Sequence, residues 1–322
     1  MQALRIVFAG TPEFAVPSLR ALLEGPDSVV GVLTQPDRPA GRGRRLQAPP
    51  VKRAAEAAGI PVEQPATLRT PEGRAGLERW NPDLLVVAAY GLILPREVLD
   101  LPPLGCINVH ASLLPAYRGA APIQRALLDG RGETGITIMR MAPGLDTGPI
   151  LLQRTLPIGE RDTGGELHDA LAELGASVLS DALAGLRAGT LEERPQDEGQ
   201  ASYAAKIGKE EAELRWTRPA GDLDRTVRAF NPWPVAFARV GGEPLRIWRA
   251  RPGGATGAAP GTVVIAGDGQ PAAACGDGRL LVLEEVQPPG RKRMAGADAV
   301  RGGHLAEGMV LAGTDARPAR TE

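Results

Sequence analysis

Asn108 and His110 stand two positions apart in the stretch GCINVHASLLPAYRG, residues 105–119. Side chains at i and i+2 leave a β-strand from one face, so a strand over Cys106–Val109 brings both to one point at its end. An amide N–H there can steady an oxyanion, and an imidazole can manage a proton. The same pair also fits a capping asparagine beside a hydrogen-bonded core histidine. Asp146 follows in APGLDTGPI, between Gly144 and Gly148. An aspartate in a turn commonly serves a local Asx hydrogen bond, while flanking glycines also let the backbone approach a ligand closely.

The elements that must position these residues read as α/β. Leu4–Ala9 is a buried strand, Phe14–Leu23 has helical spacing, and Val29–Thr34 is a second strand. This opening predicts a Rossmann-like, doubly wound N-terminal domain. No G-x-G-x-x-G follows the first strand, so a dinucleotide site is poorly supported. The Gly10 turn fits either an anion at a helix N-terminus or a plain tight turn. Leu84–Ala89, the most apolar strand, is placed at the sheet centre. Tyr90 and Leu92 then lie outside a strand's carboxyl end, where such sheets bind ligands, although Leu92–Leu94 also fits core packing. Helices are expected over Pro50–Ala58, Pro122–Leu128 and Thr163–Leu186, and strands over Gly135–Met141 and Ile150–Leu156.

QPDRPAGRGRRLQAPP, residues 35–50, carries Arg38, Arg42, Arg44 and Arg45 among Pro and Gly. It reads as an exposed loop without helix or strand, suited to a phosphate backbone or to solvent alone. Residues 189–207 are polar and read as a linker. Beyond them come a helix, Ala220–Phe230, and short strands at Val235–Val240, Leu245–Ala250, Gly261–Ala266 and Leu280–Val286, which suggest a small barrel. Trp233 and Trp248 read as core, and Arg291-Lys292-Arg293 as a phosphate contact.

With 322 residues, two domains are the natural expectation. A net charge of −1 demands no charged partner, so any nucleic-acid surface must be a local patch. Two distant cysteines and three histidines without ligand spacing give no disulfide framework and no expected metal. No apolar run approaches the ~20 residues of a membrane span, and the N-terminus lacks a signal-like core, so a cytoplasmic protein without a membrane partner is expected.

Taken in order, Asn108, His110, SLLP at 112–115 and GLDTG resemble the 10-formyltetrahydrofolate-dependent formyltransferase family. FAGTPEFAVPSL, VVAAYGLILP, ETGITIM and GLDTGPIL extend the likeness. TQPDRPAGRGRRL and RAFNPWP narrow it to the members that act on methionyl-tRNA. The resemblance implies formyl transfer from 10-formyltetrahydrofolate to the α-amine of methionine on initiator tRNA. Asn108, His110 and Asp146 would be catalytic. Ser112, Leu113, Leu114 and Pro115, with Tyr90 and Leu92, would bind folate. Arg38, Arg42, Arg44, Arg45, Arg291 and Lys292 would meet tRNA. The expected layout is a catalytic domain over 1–188, a linker over 189–207, a β-barrel over 208–310, which the resemblance implies is OB-like, and a tail over 311–322, in a chain expected to be a monomer. In the chemistry expected, Asn108 donates to the oxyanion, His110 shuttles the proton, and Asp146 orients it. No metal and no covalent formyl-enzyme are needed, and Ser112 lacks a G-x-S-x-G setting. The rivals are a formyl-folate hydrolase, an amino-sugar N-formyltransferase, and a tRNA binder with an inactive folate site.

Overall fold

The computed structural model describes residues 3–40 and 45–313. The chain opens with β1 (Arg5–Gly10), α1 (Val16–Glu24), β2 (Ser28–Leu33), β3 (Arg38–Ala40) and β4 (Arg45–Gln47). α2 (Pro50–Ala57), β5 (Val62–Glu63), α3 (Pro71–Trp80), β6 (Leu84–Ala88) and α4 (Arg96–Leu99) follow. Next are β7 (Cys106–His110), β8 (Arg118–Gly119), α5 (Pro122–Leu128), β9 (Glu133–Arg140), β10 (Ile150–Pro157) and α6 (Gly164–Ala188).

β1, β6 and β7 are apolar enough to be buried on both faces, as central parallel strands must be. The seven-stranded sheet runs β10-β9-β7-β6-β1-β2-β5. Its β5-to-β7 portion is parallel, while β9 and β10 are antiparallel. The chain moves outward from β1 to β2 and β5, then returns to β6 on the far side of β1. The order therefore reverses at β1/β6, and the carboxyl ends of β1, β6 and β7 lie side by side there. Val7, Leu33, Leu77, Leu85, Val87 and Tyr90 share one core cluster of this unit.

The remaining elements are β11 (Tyr203–Ala204), α7 (Ala220–Ala229), β12 (Phe237–Val240), β13 (Glu243–Ala255) and β14 (Val263–Ile265). β15 (Pro271–Ala274), β16 (Arg279–Gln287), β17 (Met294–Ala295) and α8 (Gly296–Arg301) complete them. The second sheet is antiparallel, in the order β12-β13-β16-β15-β14, with β17 on β16. Thr262, beside β14, pairs with Val310, and Arg239 on β12 pairs with Ala312. The segment 310–312 thus joins the two edge strands and curls the sheet into a barrel around Ala238, Ile247, Val263, Leu281 and Leu311.

The chain divides by its contacts into two units. The first holds residues 1–122, 133–157 and 168–204; the second holds 123–132, 158–167 and 205–322. Two stretches that precede residue 168 in the sequence therefore cluster with the second unit. No helix among the described residues is long and apolar enough to cross a membrane.

Several expectations change. The basic stretch is not wholly irregular: Arg38–Ala40 pairs antiparallel with Arg45–Gln47, with Pro39 opposite Leu46. Leu311 and Ala312, expected in the tail, belong to the barrel: Leu311 is 1% exposed and Ala312 exchanges hydrogen bonds with Arg239, and the rest of the expected tail, 314–322, lies outside the described residues. Trp233 is not core but 52% exposed. Trp248 is partly buried, its indole N–H donating to Gln287 Oε1 at 3.2 Å, with the Arg293 guanidinium 4.5 Å above the ring.

Candidate active site

β7 ends at the chemistry. Asn108 pairs with Val87 on one side and Met139 on the other, and His110 lies opposite Thr137. Both side chains are buried, at 9% and 5% exposure. His110 Nε2 lies 3.0 Å from the Tyr117 carbonyl oxygen. A carbonyl can only accept, so Nε2 carries the hydrogen and donates it. In the neutral ring Nδ1 is then the nitrogen with a free lone pair, and it faces Asp146 Oδ2 at 3.8 Å. The same carboxylate oxygen accepts from the Gly119 N–H at 2.9 Å. Among the described residues the Asn108 amide makes no hydrogen bond to another side chain.

Asp146 sits at φ +51°, in the left-handed region that Asp and Asn tolerate better than most residues. Its own carbonyl accepts from Gln196 Nε2 at 2.7 Å. The neighbouring Gly148 is needed for close approach, but to the chain itself: a Cβ there would lie 1.9 Å from the Arg140 carbonyl oxygen. Gly119, at φ +112°, is the other position where a side chain would be strained, and its Cβ would meet the Tyr203 ring at 2.7 Å.

The SLLP segment is held by the buried Thr137 and the partly buried Gln153. Thr137 Oγ1 donates to the Ser112 carbonyl at 2.6 Å and accepts from the Leu114 N–H at 3.1 Å. Gln153 Nε2 donates to the Leu114 carbonyl at 2.9 Å and to Thr137 Oγ1 at 3.0 Å. Ser112 Oγ donates to the Ala116 carbonyl at 2.6 Å, so its hydroxyl is committed to the loop. The Leu114–Pro115 bond is cis. Leu114 is buried, and Leu113, Pro115 and Leu92 are partly exposed.

Tyr90 is not an exposed ring. It is 2% exposed, packs in the first unit's core, and burial pushes its hydroxyl well above its ordinary value. Its carbonyl receives Thr11 Oγ1 and Gln35 Nε2, each at 2.9 Å. Arg38 is exposed and hydrogen-bonds Gln35 Oε1. Arg42 and Arg44 lie outside the described residues, as does the side chain of Arg45. Arg291 and Lys292 are exposed on the turn between β16 and β17, whereas Arg293 pairs with Glu285. Among the described residues no three His, Cys, Asp or Glu side chains gather as a metal-holding group.

Sequence reasoning passed over Thr137, Gln153, Arg118 and Gln196. Thr137 left one trace, a polar residue inside the buried run GITIMRM. Gln196 left none, since its partners are main-chain carbonyls and an arginine far away in sequence.

Comparison with known proteins adds the family. The formyl transferase model matches residues 4–183, and the formyl transferase C-terminal domain model matches 206–304. The chain is 56% identical over 297 residues to the methionyl-tRNA formyltransferase of Pseudomonas fluorescens (strain SBW25), covering 92% of this chain and 93% of that one. It is 55% identical over 310 residues to the one of Thiobacillus denitrificans (strain ATCC 25259 / T1), covering 96% and 99%. The sugar 3N-formyl transferase WlaRD, crystallised in the presence of dTDP and 5-N-formyl-THF, superposes with a TM-score of 0.67 at 16% identity, over 91% of this chain and 100% of that one. An N-formyltransferase from Helicobacter canadensis, in complex with folinic acid and dTDP-3-aminofucose, gives 0.65 at 18% identity, over 87% and 98%. Those two likenesses speak for the fold, and the identity to the bacterial relatives over nearly the full chain speaks for the family. The chain belongs to the formyl transferase family, in its methionyl-tRNA formyltransferase branch.

Proposed function

We propose that this protein transfers the formyl group of 10-formyltetrahydrofolate to the α-amine of methionine carried by initiator tRNA. The observation that carries the reading is the approach of His110 Nδ1 to Asp146 Oδ2 at 3.8 Å, beside the Asn108 amide, at the sheet's ligand-binding edge. The neutral amine attacks the formyl carbon, forming a C–N bond and an oxyanion. Asn108 donates an N–H to that oxygen, a contribution of roughly 10²–10³ in rate for a well-aimed donor. The proton leaving the amine goes to His110 Nδ1, because Nε2 is occupied with the Tyr117 carbonyl. Asp146 faces the proton while it is held. His110 then returns it to N10, the C–N10 bond breaks, and tetrahydrofolate leaves.

The folate lies against Ser112, Leu113, Leu114, Pro115 and Leu92, and Tyr90 supports that floor from within the core. The tRNA phosphates meet Arg38, Arg42, Arg44, Arg45, Arg291 and Lys292. The working form is a cytoplasmic monomer.

The test is to mix the purified protein with 10-formyltetrahydrofolate and methionine-charged initiator tRNA, and to follow formyl-methionyl-tRNA. Product that needs both substrates is expected. Deformylation of the folate with no tRNA product would overturn the acceptor assignment. His110→Ala should lower kcat by about 10²–10⁴ with tRNA affinity retained; more than half of kcat surviving would remove His110 as the proton carrier.

A further inference from the structure

The segment after α6 folds back along the catalytic loop. Residues 203–204 pair in parallel with 118–119, the Tyr117 N–H donates to Ser202 Oγ at 2.9 Å, and the Arg118 N–H donates to the Ser202 carbonyl at 2.8 Å. Gln196 is at the centre of this attachment. Its Oε1 accepts from Arg118 Nε at 3.0 Å and from Arg118 Nη2 at 2.8 Å. Its Nε2 donates to the carbonyls of Asp146 and Gly148, both at 2.7 Å. A primary amide has two donor hydrogens and two acceptor lone pairs, so all four are used. The orientation is settled by chemistry, since a guanidinium only donates and carbonyls only accept. Glu198 accepts two further bonds from Arg118, at 2.8 and 2.9 Å.

These contacts close a ring. His110 is fixed by the Tyr117 carbonyl, Arg118 grips Gln196, the Gly119 N–H holds the Asp146 carboxylate, and Gln196 holds the Asp146 backbone. Asp146 occupies a left-handed conformation, on an exposed turn whose neighbour Leu145 is 57% exposed. Among the described residues, Gln196 is the side chain that hydrogen-bonds the main chain of that turn.

We infer that Gln196 is a positioning residue for the transfer reaction: its amide sets the Asp146 turn so that the carboxylate faces His110 Nδ1. This rests on the proposed formyl transfer. The carboxylate–imidazole gap is already 3.8 Å, so further drift of the turn weakens the interaction at the moment the proton moves.

The experiment uses two variants of the full chain. Gln196→Glu can still accept from Arg118 but, ionised, cannot donate to the Asp146 and Gly148 carbonyls. Gln196→Met keeps the length and removes both sets of bonds without adding charge. Steady-state transfer to charged initiator tRNA is measured with each, together with both KM values and the melting temperature. The wild-type rate is the control for the reaction itself: no wild-type transfer would reject the proposed function, and with it this inference's premise. Given wild-type transfer, kcat should fall by about tenfold to a hundredfold in both variants, with both KM values within about threefold and melting within a few degrees. A kcat within about twofold of wild type in either variant would overturn the inference. So would a loss in Gln196→Glu alone, which would report repulsion from Glu198. Parallel collapse of kcat, KM and folding in both variants would also overturn it, by making Gln196 a support of the fold rather than of Asp146.

Discussion

At the scale of single residues, the candidate site is held by polar groups whose partners lie in the chain itself. Thr137 is fully buried and spends its hydroxyl on Ser112, Leu114 and Gln153. Thr137→Val keeps the shape and leaves a buried N–H and C=O without partners, which should cost about 2 kcal/mol. The SLLP segment then loosens, so the KM for folate should rise more than the KM for tRNA; equal changes would show that Thr137 does not support the folate side. Tyr90 makes the opposite case. Its hydroxyl is buried with no hydrogen-bond partner among the described residues. Tyr90→Phe removes an unsatisfied polar atom, so melting should stay level or rise and the folate KM should stay within about twofold. A large rise in that KM would return the hydroxyl to the ligand. The placement of Asn108 and His110 at the end of one strand was legible because alternation along a strand fixes it, and Asp146 stood out as an aspartate between glycines. Thr137 and Gln196 were not, because their work is defined by main-chain atoms that only the fold brings near.

At the scale of elements, α6 starts with a reciprocal cap. Thr163 Oγ1 accepts from the Glu166 N–H at 3.2 Å, and Glu166 Oε2 accepts from the Thr163 N–H at 2.9 Å and its hydroxyl at 2.7 Å. Thr163→Ala should cost about 1 kcal/mol by thermal melting at neutral pH. The Thr163 hydroxyl first, then its N–H and the nearby Arg249, hold the Glu166 carboxyl below its ordinary value against partial burial. The folded value lies under the unfolded one, so this contribution is full above pH 4.5 and is lost as pH falls through the lowered value. The melting gap between wild type and Thr163→Ala should therefore narrow on acidification, and a constant gap would count against the carboxylate's part. Most elements could be read from periodicity. β15 could not, because PAAA has no branched residue to mark a strand, yet the barrel pairs it on both sides. The β3–β4 pairing was hidden because Pro39 stands inside the first strand, where a proline argues against a sheet.

At the scale of the whole molecule, the charge balance of −1 hides an arginine-rich chain, with four lysines among 37 basic residues. Many of the arginines are engaged in ion pairs, for example Arg118–Glu198, Arg125–Glu211 and Arg228–Asp224. Arg291 and Lys292 are exposed, and Arg291→Ala/Lys292→Ala should lower tRNA affinity and flatten its salt dependence by about one to two units of log–log slope. An unchanged slope would remove that turn from the tRNA surface. The two cysteines are 1% and 2% exposed, and burial pushes both thiols up to about 12. A thiol reagent at pH 8 should leave the native protein unlabelled and modify both cysteines once it is unfolded.

Closure of the second unit's barrel by residues 310–312 has a consequence for the protein's own synthesis. A ribosome delivers a chain from its N-terminus, so β14, and β12 beyond the bridge from Glu213 to Phe237, emerge with open edges while their joining segment is still unmade. Open strand edges recruit other strands. For that interval the nascent chain carries two adhesive borders, along with residues 123–132 and 158–167 that wait for the same unit. A message broken before codon 310 would yield a product with those borders permanently unsealed, and aggregation or proteolysis would be its expected fate.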